Sequence, residues 1–144
     1  MTPPTSPAPA EPARRKRILV VDDDDAVRIG LEDVLVTEGY EVVTACNGIQ
    51  ALAALRRQPC DLALLDMSMP LLNGGATIGE LRRLNRWLPI VIITALPGHG
   101  KLAREAGVEH MEKPLDLPLL FRRIGDLLSP PDDTTRAGPG ETAA

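Results

Sequence analysis

Three short runs of this chain are apolar without interruption: Ile18-Leu19-Val20-Val21, Leu62-Ala63-Leu64-Leu65 and Ile90-Val91-Ile92-Ile93. A strand with one wet face alternates polar and apolar residues, because successive side chains point to opposite sides of the sheet. These runs do not alternate. Each needs cover on both faces, which suits the central strands of a parallel sheet with helices on either side. Residues Glu41 to Ala45 and Val108 to Glu112 read as weaker strands, suited to the sheet edges.

Helical patterns lie between the strands. Ala26 to Glu38 puts Val27, Leu31, Val34 and Leu35 on one stripe, and Gly39 stops it. Gln50 to Arg57 carries Leu52 and Leu55, with Pro59 beyond its end. Ala76 to Leu84 carries Ile78, Leu81 and Leu84; Lys101 to Ala106 is a shortened fourth helix; Leu117 to Leu128 carries Leu120, Ile124, Leu127 and Leu128. Strands and helices in alternation at this spacing predict right-handed βαβ units. The expected class is therefore α/β: a doubly wound, five-stranded parallel sheet of flavodoxin-like order 2-1-3-4-5, with helices on both faces.

The 144 residues suffice for one domain, expected over residues 17–128. Residues 1–16 hold five prolines and no apolar periodicity, and read as a disordered arm ending in the basic run Arg14-Arg15-Lys16-Arg17, expected to be solvated. Residues 129–144 read as a second disordered tail. Aromatic residues make up 2% (Tyr40, Trp87, Phe121) and the net charge is -4. Both figures argue against a base-stacking surface and against a general affinity for phosphate backbones, though not against a small local patch, and no nucleic-acid partner is expected. Cys46 and Cys60 are too few for a disulfide scaffold and are expected to be small buried residues. No apolar run approaches the ~18 residues of a membrane span, and no secretory segment opens the chain. A cytoplasmic protein without a membrane partner is expected.

Doubly wound sheets bind ligands at the carboxyl ends of their strands. The first run ends in Asp22-Asp23, the third strand in Asp66, the fourth in Thr94 and the fifth in Lys113. Asp24 or Asp25 can cap the following helix, whereas Asp22 and Asp23 come too early for capping alone. Three carboxylates, one hydroxyl and one ammonium thus converge on one rim. Two like charges ~5 Å apart repel by ~3 kcal/mol at an effective dielectric of ~20. Crowded carboxylates therefore resist joint ionisation unless a cation joins them, and Mg2+ suits such an all-oxygen donor set. Asp66, on the central strand, is the candidate nucleophile, able to accept a phosphoryl group as an acyl phosphate. Lys113 offers a second positive charge, and Thr94 can donate its hydroxyl to a phosphoryl oxygen once one is present.

At these residues the chain resembles a response-regulator receiver domain of two-component signalling, in a stand-alone form. The resemblance covers roughly residues 17 to 128 and rests on "ILVVDDD", "DLALLDMSMPLLNG", "IVIITA" and "EKP". It implies phosphorylation at Asp66. It implies Mg2+ held by Asp22, Asp23, Asp66 and the backbone carbonyl of Ser68, with Asp23 the more direct ligand of the acidic pair. Thr94 would be the switch hydroxyl, Ala95 the small residue beside the phosphoryl group, and Lys113 the phosphate-pairing lysine before a cis bond to Pro114. Gly74 matches the glycine of the loop after the third strand. Where the family places a rotating Tyr or Phe, this chain has His110, which can rotate and adds pH sensitivity. The segment from Thr94 to Lys113 is about three residues short, which leaves room for only a stubby fourth helix before the fifth strand.

The function so implied is a phosphoacceptor switch. It would be charged by a histidine kinase or a histidine phosphotransfer protein and read out by changed binding to an unknown downstream protein or by phosphorelay. It would not be an enzyme beyond phosphorylating and dephosphorylating itself. A receiver-like binding module that works without phosphate is the alternative. A phosphatase of the haloacid-dehalogenase type needs a second aspartate two residues after the nucleophile, where this chain has Ser68. A nucleotide-binding Rossmann turn needs glycines where this chain reads "DDDDAVRIG".

Overall fold

A computed structural model describes residues 15–66, 74–94 and 99–128 of the protein. Five strands form one parallel sheet: β1 (Arg17–Val21), β2 (Glu41–Ala45), β3 (Leu62–Asp66), β4 (Ile90–Thr94) and β5 (Glu109–Glu112), in the order β2-β1-β3-β4-β5. Helices α1 (Asp25–Thr37), α2 (Gly48–Arg57), α3 (Gly74–Leu84), α4 (His99–Ala106) and α5 (Leu117–Leu128) alternate with them. The expected class and strand order are those observed. The expected arm, up to residue 14, and the tail from 129 lie outside the described residues.

The uninterrupted apolar runs are explained by the two cores they serve. In β1, Leu19 and Val21 join Ala63, Leu65, Ile90 and Ile92 in one cluster, covered by Ala51 and Leu55 of α2, Ile78 and Leu81 of α3 and Ala103 of α4. The residues between them, Ile18 and Val20, join Leu62, Leu64, Val91 and Ile93 on the other face, under Leu31 and Leu35 of α1 and Leu120 and Ile124 of α5. Every residue of β3 and β4 is buried. The edge strands are less covered: β2 has one buried residue and β5 one.

Helix ends follow local chemistry. Asp24 is the N-cap of α1, accepting the Val27 N–H at 3.1 Å, and Asn47 caps α2 by accepting the Gln50 N–H at 2.8 Å. After α1, Gly39 takes φ 102°, a left-handed conformation that other residues seldom adopt. The fourth helix begins two residues earlier than its apolar pattern predicts. At eight residues it is still the shortest helix among the described residues.

Two readings are corrected. Arg17 is not a solvated end of the basic run. It opens β1 opposite Glu41 of β2, to which its Nε and Nη2 reach at 2.9 and 2.8 Å, while its Nη1 donates to the Pro59 carbonyl. A strand flanked on both sides offers its first side chain neighbours instead of water. Cys46 is half-buried, because it follows the edge strand β2; Cys60 is buried, and burial pushes its thiol up to about 11.

Leu65 is fully buried in the central strand. Leu65→Ala is expected to cost about 3 kcal/mol, within the ~2–5 kcal/mol span of buried Leu→Ala changes, read as a lowered urea midpoint. Ile49, 81% exposed, is the control: Ile49→Ala should stay within about 0.5 kcal/mol of wild type.

Candidate functional site

The four consecutive aspartates after β1 have four different environments. Asp22 is buried at 2% exposure, and its Oδ1 accepts the Asp24 N–H at 2.9 Å. Asp23 is exposed. Asp24 is the helix cap, and Asp25 sits in the first turn of α1, where a negative charge suits the positive helix end. Arg28, one turn on, reaches back. Its Nη1 donates to the Asp22 carbonyl at 2.8 Å while Nη2 pairs with the Asp25 carboxylate. That clamp fixes the backbone that carries Asp22 and Asp23. The sequence gives little sign of it, since Arg28 reads as one more polar residue of a helix.

The neighbouring strands deliver the remaining groups. Asp66 ends β3, Thr94 ends β4 and Lys113 follows β5 directly. Parallel pairing keeps these ends level: Val21 lies beside Leu65, Asp66 beside Ile93, and Thr94 beside Glu112. The Thr94 carbonyl accepts the Lys113 N–H at 2.8 Å, which locks the end of β5 against β4. From there Lys113 Nζ donates to Asp66 Oδ2 at 2.9 Å. The Asp66 side chain is 6% exposed and that of Lys113 30%, so the ammonium lies between the buried carboxylate and the solvent. The Lys113–Pro114 bond is cis, as the resemblance implied.

Electrostatics ties Asp22 to this pair. Burial raises its carboxyl pKa to about 6, and the charge of Asp66 and a side-chain hydrogen bond with it push the same way; the Asp24 N–H and Lys113 oppose the shift. Asp22 and Asp66 are thus a crowded pair of hard oxygen donors. Among the described residues no group of three metal-capable side chains is gathered, and Asp23 is exposed. Two buried carboxylates with a third at the rim still fit a magnesium ion, which keeps most of its waters and takes few protein ligands.

The structure therefore brings Asp22, Asp66, Thr94 and Lys113 to one rim, with Asp23 at its solvent side. Ser68 and Ala95 lie outside the described residues. His110 is half-buried on β5, with Ile92 of β4 beside it, and lines a groove of about 310 Å³ with Met111, Glu112, Pro114, Asp116, Leu119 and Arg123.

Residues 18–124 match the family model described as the response regulator receiver domain. The chain belongs to this family. The receiver domain is 43% identical over 117 residues to response regulator PleD of Caulobacter vibrioides, covering 77% of this chain and 26% of that protein. Response regulator MprA of Mycobacterium leprae is 38% identical over 128 residues, covering 84% of this chain and 55% of that protein. The chain thus spans between about a quarter and about half the length of these relatives. Among solved structures it is similar to a CheY-like receiver domain from Methanospirillum hungatei, with a TM-score of 0.75, 28% identity and coverage of 80% of this chain and 94% of that one. It is also similar to response regulator TrrA from Thermotoga maritima, in complex with Mg2+ and BeF, with a TM-score of 0.72, 36% identity and coverage of 78% and 99%.

The receiver domain's buried Asp22 makes a pH prediction. An acid whose folded pKa is raised from 3.8 to about 6 contributes full stability below the lower value and loses it as pH rises to the upper one. In a chelating buffer, wild type should lose on the order of 1–3 kcal/mol relative to Asp22→Asn between pH 4 and pH 7. Urea denaturation across that range is the measurement. A difference that does not change with pH would contradict the assignment.

Proposed function

We propose that this receiver domain accepts a phosphoryl group on Asp66 from the phosphohistidine of a histidine kinase or a histidine phosphotransfer protein. The supporting observation is a buried carboxylate at the carboxyl edge of the central strand, held by Lys113 and crowded by Asp22. An Asp66 oxygen attacks phosphorus, a new O–P bond forms, and the N–P bond breaks with its electron pair going to the imidazole, which takes up a proton. Asp22, Asp23 and Asp66, with the Ser68 carbonyl, would hold Mg2+. The ion supplies charge neutralisation and orientation for the transferring group.

The protein's own groups do the rest. Lys113, already on Asp66, moves its positive charge to a phosphoryl oxygen when the carboxylate becomes an acyl phosphate. The Thr94 hydroxyl gains a phosphoryl acceptor that the unmodified state does not offer, which favours a different position for the end of β4. His110, on the neighbouring strand beside Ile92, would follow that change and carry it to the β5 surface. The output is changed protein binding or onward phosphotransfer in the cytoplasm, without turnover of a free substrate.

Incubation with acetyl phosphate and Mg2+, followed by intact-mass measurement, should give a single phosphoryl adduct. The adduct should be absent from Asp66→Asn and suppressed by a chelator. No adduct on wild type, or an equal adduct on Asp66→Asn, would overturn the proposal. Equal binding of a downstream protein by wild type and Asp66→Asn would instead favour the phosphate-independent binding module.

A further inference from the structure

Four of the six most exposed large hydrophobic residues among the described ones fall into two patches: Leu84 with Trp87, and Ile29 with Val36. Single exposed apolar residues are ordinary on protein surfaces. Here Leu84 and Trp87 lie among arginines, of which Arg83 also pairs with Glu80 at 3.7 Å, and Ile29 and Val36 lie beside carboxylates.

The first patch is basic. Helices α2 and α3 end in Arg56-Arg57 and Arg82-Arg83. Compensation of the helix dipoles accounts for arginines at these places. It does not account for Trp87, which is 81% exposed on a turn with little freedom. Asn85 Oδ1 accepts the Trp87 N–H at 3.1 Å, Arg82 Nε donates to the Leu88 carbonyl at 2.9 Å, and the Leu88 side chain is fully buried. The Arg86 guanidinium lies over the indole, 5.2 Å from the ring centroid. Beside this turn a groove of about 390 Å³ is lined by Leu55, Arg56, Pro59, Leu84 and Asn85. Tryptophan and arginine beside a partly apolar groove are side chains of the kind that dominate binding at protein interfaces.

The second patch is acidic. Ile29, Glu32, Asp33 and Val36, spaced to share one face of α1, line a groove of about 270 Å³. No ion pair among the described residues uses Glu32 or Asp33. One chain therefore carries both an α1 face with apolar residues beside carboxylates and a groove flanked by guanidinium groups. A nucleic acid would suit the arginines but not the apolar floor or the net charge of -4.

We infer that a second copy of this chain docks the acidic Ile29–Val36 face of its α1 against the basic Trp87 face of the first. Like patches repel, so only the acidic-to-basic register is attractive. The helix α1 covers one side of the sheet and α2 and α3 the other, so the contact is heterologous and joins opposite sides of the sheet in successive copies. Association runs head to tail, and it does not depend on the chemistry proposed at Asp66.

Trp87 is the sole tryptophan, so its emission reports this face alone. Wild type is held dilute and titrated with Trp87→Phe, which is silent in emission but keeps the acidic α1 face. The emission should shift to the blue and become less accessible to acrylamide. Titrant that also carries Glu32→Lys and Asp33→Lys should bind at least about tenfold more weakly. Raising ionic strength from about 0.05 to about 0.5 M should weaken the shift as well. Pairing that reversed titrant with a receptor carrying Arg56→Glu and Arg83→Glu should restore it. Sedimentation of wild type should give a mass that keeps rising with concentration instead of levelling at a dimer. Unchanged emission, or an equal shift with the charge-reversed titrant, overturns the inference. A shift produced by poly(dT) or polyglutamate but not by the chain itself also overturns it.

Discussion

The Lys113–Asp66 ion pair is the contact around which this molecule is arranged. It spans 47 residues of sequence and 2.9 Å of space. Neither group can be placed without the whole sheet: Asp66 needs β3 at its centre, and Lys113 needs β5 to end level with β4. The energetics sharpen the point. A buried carboxylate is costly without a partner, and its pairing offsets desolvation more than it adds net stability. The pair is therefore better understood as a device for keeping a charge inside the rim than as a staple of the fold. Stability comes from the two apolar clusters on either side of the sheet.

A rim built in this way holds opposing charges close to balance. Asp22 is pushed towards its neutral form by burial and by Asp66, while the Asp24 N–H and Lys113 pull it back. Arg28 fixes the backbone beneath it. On the proposed reading, cation binding or a phosphoryl group on Asp66 would change that balance at the rim. Such a site is suited to switching, because a change of one or two charges acts on groups whose preferences are nearly even.

Much of this was legible in the sequence, for definite physical reasons. Strands β1, β3 and β4 are buried on both faces, so their composition alone separated them from the amphipathic helices. The order of strand ends then placed Asp22, Asp66, Thr94 and Lys113 on one rim. What remained hidden depends on side-chain reach. Arg28 bonds a carbonyl six residues behind it, Arg17 is drawn in by Glu41 across the sheet, and Asp23 stays outside the Asp22–Asp66 pair although it adjoins it in sequence. The start of α4 was also missed, because His99 and Gly100 carry no apolar periodicity. Trp87 gave no signal at all, since a lone tryptophan in a helix-to-strand turn reads equally well as core or surface.

Titration of isotopically labelled protein with Mn2+, a paramagnetic stand-in for Mg2+, tests the central claim most directly. Amide signals should broaden first around Asp22, Asp23 and Asp66, then at Thr94 and Lys113, and excess Mg2+ should reverse the effect. Broadening centred on another acidic stretch, such as Glu32 and Asp33, with the Asp22–Asp66 rim unaffected, would contradict the account.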